Sequence, residues 1–112
     1  MNSNTFRVSL SVDEADRLIY SAVVQGSITG ERIDYYEIYG PNGTRCQVSV
    51  YEKHYYRAGN RLTLTVTIDN LSGYTRVHYA SGGGGEGLFR FDWGASSSFA
   101  NIVPNALASY IV

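Results

Sequence analysis

The chain has one cysteine, one tryptophan, two prolines and, among its nine basic residues, a single lysine, Lys53. A lone Cys46 has no partner for a disulfide, so a cross-linked scaffold is excluded; placed mid-strand, it is expected to be a small core residue. No H-x-H, H-x₃-H or cysteine cluster supplies the convergent ligands that a metal requires, and no metal or other cofactor is expected. No apolar run approaches the ~20 residues that span a bilayer. The opening MNSNTFRVSLSV also lacks the charged-then-apolar pattern of a secretory signal. A cytoplasmic protein, with no membrane partner, is the expectation. A net charge of −1 withholds the surplus of Lys and Arg on which nucleic-acid affinity rests. No serine sits in a G-x-S-x-G elbow.

Glycine and tyrosine are what the chain has in quantity, 12 and 10 of its 112 residues. With 44% apolar and 17% charged content, a chain of this length can bury a core as one domain, residues 1–112, without disulfide or metal. Tyrosine and arginine are enriched at interfaces, where they stack and form bidentate bonds at modest entropic cost. Their abundance is the main functional hint in the composition.

Phe6, Val8, Leu10 and Val12 alternate with polar residues and predict a half-buried strand. Ser11-Val12-Asp13-Glu14 matches a capping box. Ala15, Leu18, Ile19, Ala22 and Val23 follow at helical spacing up to Gly26. Strands are predicted over 33–39 and 44–57, the latter with Cys46, Val48 and Val50 inward and Arg45, Gln47, Ser49 and Tyr51 outward. Residues 61–69 alternate cleanly, with Leu62, Leu64, Val66 and Ile68 inward. Further strands are expected over 74–80 and, beyond the glycine loop, in the aromatic stretch 88–93. A last helix is predicted from about Ser97, carrying Phe99, Ile102, Val103, Ala106 and Leu107 on one face, with Pro104 interrupting it. Short turns make the strands a meander and hence antiparallel. The fold class is therefore α+β: a single antiparallel sheet of five to six strands, with an N-terminal and a C-terminal helix packed on one face and the other face open.

The glycine loop Ser81–Gly87 could form an anion nest, but Glu86 opposes an anion and no helix N-terminus follows directly. A flexible connection explains it more simply. Asp92-Trp93-Gly94 reads as a core anchor followed by a bend. An enzyme would need Asp92, His78 or His54 to converge, and nothing in the spacing requires that. The arginine and tyrosine set carries more weight. In the predicted register Arg45, Tyr51, Lys53, Tyr55 and Arg57 project from one long strand onto the open face, beside Arg61, Arg76, His78 and Arg90. Such a face suits pairing with a second copy of the chain, giving a homo-oligomer. The alternative is a small anionic or aromatic ligand held by Arg45, Arg61, Arg76 and Arg90.

The stretches Val48–Lys53, Asn60–Val66 and Gly87–Gly94 resemble those of a small uncharacterised bacterial protein family over nearly the whole chain. That resemblance implies no assigned activity and contributes no catalytic residues. In element order alone the chain is also similar to the strand–helix–four-strand–helix plan of TATA-binding-protein-like folds. Those DNA-binding saddles are basic and duplicated, and this chain is neither. A shortened helix-grip ligand-binding fold is similar in order too.

Overall fold

The computed structural model describes the backbone over residues 2–26, 29–55, 60–83 and 93–112, and the side chains there apart from those at 2–3, 55, 60 and 93–97. Strand β1 (Asn2–Val8) leads into helix α1 (Val12–Tyr20). The expected capping box starts that helix. Glu14 N–H donates to Ser11 Oγ at 3.1 Å, and Ser11 N–H donates to Glu14 Oε1 at 2.9 Å. Those bonds, the backbone one foremost, hold the Glu14 carboxyl below its ordinary pKa. The helix widens into a π turn over Ser21–Gln25 and stops at Gly26, where a Cβ would lie 2.9 Å from the Ala22 carbonyl oxygen.

Four strands follow: β2 (Glu31–Tyr39), β3 (Arg45–Tyr55), β4 (Asn60–Asp69) and β5 (Thr75–Gly83). The turn between β2 and β3 needs left-handed backbone at Asn42 (φ 60°) and Gly43 (φ 77°), the residue types that adopt it most readily. The strands form one antiparallel sheet in the order β1-β5-β4-β3-β2. The meander runs outward from β5 to β2, and β1 pairs back along β5. Helix α2 (Trp93–Ala106) closes the described chain, followed by a 3₁₀ turn over Ala108–Tyr110. This is the α+β architecture expected, with both helices on one face of the sheet.

The core lies between helices and sheet. Val12, Ala15, Ile19 and Val23 from the first helical stretch meet Phe99, Val103 and Leu107 from the last, over Leu62, Leu64, Val66 and Ile68 of β4 and Val77 and Tyr79 of β5. Pro104 sits within α2, two residues before its end. It forgoes one helical hydrogen bond there, while Val103 and Leu107 on either side are fully buried.

Three expectations need correction. The strand β5 runs on through Ser81, Gly82 and Gly83, which pair with Leu64, Thr63 and Leu62, so the glycine loop begins later than expected. Trp93 opens α2 instead of ending an aromatic strand, and the helix starts earlier than Ser97. The third concerns β3. Gln47, Ser49 and Tyr51 are its buried residues, whereas Cys46, Val48 and Val50 are half-buried on the open face. The physical reason is that α1 brings carboxylates over this part of the sheet, so polar residues face the helix and find partners there. Cys46 is accordingly not a core residue. Residues 84–92, with Arg90, Asp92 and most of the aromatic stretch, lie outside the described residues, as do Arg57 and the Tyr55 side chain.

Candidate functional site

Among the described residues, strand β2 ends the sheet and pairs with β3 alone. Its sequence, ERIDYYEIY, places apolar or aromatic residues at both odd and even positions, so no orientation hides them all. Ile33, Tyr35, Tyr36, Ile38 and Tyr39 are 48, 40, 53, 54 and 69% exposed. The register slips by one residue between Arg32 and Asp34. Beyond the slip, Tyr35, Glu37 and Tyr39 lie opposite Ser49, Gln47 and Arg45 on the helix side. Tyr36 and Ile38 lie opposite Val48 and Cys46 on the open side.

The direction of the backbone groups follows from alternation. Gly40 N–H donates to the Thr44 carbonyl at 2.9 Å, which makes that a hydrogen-bonded pair. Counting back, Ile38, Tyr36 and Asp34 exchange bonds with β3, whereas Tyr39, Glu37 and Tyr35 direct their N–H and C=O groups away from the sheet. In keeping with this, Tyr35 N–H donates to its neighbour Asp34 Oδ1, at 2.9 Å. The opposite edge of the sheet is partly covered. Ser9 N–H donates to the Tyr110 carbonyl (2.9 Å), Val112 N–H donates to the Arg7 carbonyl (3.1 Å), and Val8 bridges Ile111.

Two arginines fix β2 to the helix above. The Arg32 Nη2 donates to Asp16 Oδ1 of α1 at 2.5 Å and to the Tyr51 hydroxyl at 2.9 Å. Its guanidinium carbon also stands 4.8, 4.6 and 5.3 Å from the ring centres of Tyr20, Tyr35 and Tyr51, within cation–π range. Burial alone would lower the pKa of Arg32, but the bonds to Tyr51 and Asp16 outweigh it and raise it. Arg45 forms a fork onto Asp13 of α1 (2.9 and 2.8 Å), and its Nε donates to Glu37 Oε2 at 3.0 Å. Its Nη2 bonds Glu37 as well. Gln47, 2% exposed, donates its amide to both Asp13 and Glu37. Burial pushes the Glu37 carboxyl up, yet the donors Arg45, Gln47, Tyr39 and Tyr35 together hold it down at about 2. Burial, then the bond to Glu37, pushes Tyr35 up to about 12.

The residues expected on one binding face divide between two. Arg45 and Tyr51 face the helices, and Tyr51 is fully buried, so the open-face placement of that pair is corrected. Tyr55 ends β3, and its side chain lies outside the described residues. Arg61, Arg76 and His78 lie on the open face. Arg76 makes two bonds to Asp69 (3.1 and 3.0 Å), Arg61 stands 3.6 Å from Glu52, and His78 Nδ1 is 2.6 Å from Thr5 Oγ1. His54 and His78 are paired with Arg61 and Thr67, six positions apart along β4, a separation of ~20 Å by strand rise. Burial, with Asp69 nearby, raises the Cys46 thiol above its ordinary pKa, away from the reactive thiolate. Among the described residues no group of three or more His, Cys, Asp or Glu could hold a metal ion, and no helix is long and apolar enough to cross a membrane.

Sequence reasoning passed over Tyr36, Ile38 and Tyr39. The available signal was the failure of β2 to alternate, at a strand that ends the meander. The chain belongs to DUF6054, a family of unknown function, which matches residues 1–111. No curated protein and no solved structure matches it.

Proposed function

We propose that this member of the family is a non-catalytic, self-associating protein that forms a homodimer through the β2 end of its sheet. The observation that carries the reading is the two-sided exposure of β2, with five large apolar or aromatic side chains uncovered along nine residues. A long, apolar edge strand is a template for pairing with another chain, and proteins that stay monomeric blunt such edges with lysine, proline or a covering element. Residues 35–39, YYEIY, contain neither lysine nor proline. Beside them, Val48 and Val50 extend the apolar surface onto the open face. A net charge of −1 sets little long-range repulsion against the approach of a second copy. The single Cys46 thiol suits a reducing compartment, in keeping with action in the cytoplasm.

A second copy is preferred to a small anionic ligand because Arg45 and Arg76 already hold carboxylates of the chain itself. Sedimentation over a dilution series tests the reading. The wild type is expected to sediment as a dimer that dissociates on dilution. The double variant Tyr36→Glu/Ile38→Glu is expected to stay monomeric with an unchanged circular dichroism spectrum. A wild type that is monomeric throughout the series overturns the proposal.

A further inference from the structure

Building on that self-association reading, we infer that two copies join edge to edge, β2 against β2 in antiparallel register, about a two-fold axis at Glu37. The result is one continuous ten-stranded sheet with all four helices on the same side.

The register follows from three constraints. First, an axis perpendicular to the sheet keeps each face on its own side. Residues directly opposite must therefore come from the same face, and the axis must pass through a residue. Second, the N-terminal half of β2 is guarded. The register slip lies between Arg32 and Asp34, and Asp34 occupies the Tyr35 N–H with its own carboxylate. Slips and charges placed on an edge strand are among the features that keep edges from pairing. An axis at Asp34 would also set two carboxylates face to face. Third, the remaining half, Tyr35-Tyr36-Glu37-Ile38-Tyr39, is close to a palindrome about Glu37.

With the axis at Glu37, Tyr35 meets Tyr39 of the second copy on the helix side. Tyr36 meets Ile38 on the open side, and each contact occurs twice. Aromatic and aliphatic cross-strand pairs of this kind are the favourable unit of sheet pairing. The outward-directed backbone groups of Tyr35, Glu37 and Tyr39 coincide across the axis; with each Tyr35 N–H held by Asp34, they supply about four N–H···O=C bonds. The two Glu37 carboxylates do not meet bare. Each is turned back over its own sheet onto Arg45 and Gln47. Closure about a two-fold uses both free β2 edges, so assembly stops at two copies.

Disulfide trapping tests the register. In a Cys46→Ser background, Tyr36→Cys and Ile38→Cys proteins are prepared singly and mixed under mild oxidation. Opposed residues of a non-hydrogen-bonded pair have Cα atoms ~4.5 Å apart, within disulfide reach. The expected result is a covalent heterodimer in the mixture, with little cross-linking of either protein alone. If Tyr36→Cys or Ile38→Cys cross-links efficiently to itself, the axis lies at that residue and the proposed register is overturned. If the background protein sediments as a dimer while no combination cross-links, the proposed edge pairing about Glu37 is overturned, though self-association stands. If the background protein and the wild type are both monomeric, the self-association reading itself has failed.

Discussion

Arg32 links the edge strand to the helix above it. Its two hydrogen bonds reach α1 and β3, and three tyrosine rings surround its charge. The side chains of Arg32 and Asp16 are 18 and 17% exposed, so solvent screens the pair only in part. Replacing Arg32 with alanine leaves the Asp16 carboxylate without its cation and removes the filling between the rings. A loss of about 2 kcal/mol of stability is expected, less than the cost of breaking a fully buried pair. Arg32→Lys recovers only part of it, because a point charge cannot donate along two directions as the planar guanidinium does. Chemical denaturation of the two variants against the wild type measures both effects.

Among the elements, the contrast between β4 and β3 explains what the sequence made legible. In β4 the residues Leu62, Leu64, Val66 and Ile68 alternate with threonines, every leucine, valine and isoleucine faces the helices, and the pattern reads correctly. The Ser11–Glu14 capping box is equally local and equally readable. In β3 the same rule inverts. Val48 and Val50 lie on the open face, while Gln47 and Ser49 are buried, because Asp13 of α1 and Glu37 of the neighbouring β2 accept hydrogen bonds from the Gln47 amide. Alternation reports which residues share a face; which face is covered depends on what packs there. That inversion also moved Arg45 and Tyr51 off the face on which they were expected, and left Tyr36 and Ile38 unremarked on the other. For β2 itself, Asp34 is the guard of an otherwise open edge. Asp34→Ala frees the Tyr35 N–H and removes a charge beside the contact, so tighter self-association is expected. An unchanged or weaker dissociation constant by sedimentation would show that Asp34 does not guard the edge.

For the molecule as a whole, stability should depend on acid through the Glu37 network. The Glu37 carboxyl is held at about 2, against an ordinary value of 4.5. A depressed carboxyl contributes stability that is complete above 4.5 and is lost as the pH falls toward 2, because the unfolded chain takes up the proton first. Thermal melts stepped through that window should show a decline that Glu37→Gln flattens. At the alkaline end Tyr35 is raised from 10 to about 12, so the stability it contributes is lost as the pH rises across that interval.

The account as a whole rests on β2 being closed by a second copy. Amide exchange read residue by residue at low and high protein concentration addresses this directly. The N–H groups of Glu37 and Tyr39 point away from the sheet in the single chain, whereas those of Tyr36 and Ile38 are already bonded to β3. At low concentration Glu37 and Tyr39 are expected to exchange fast, and at high concentration to become protected, while Tyr36 and Ile38 change little. Fast exchange at Glu37 and Tyr39 at every concentration would contradict the account.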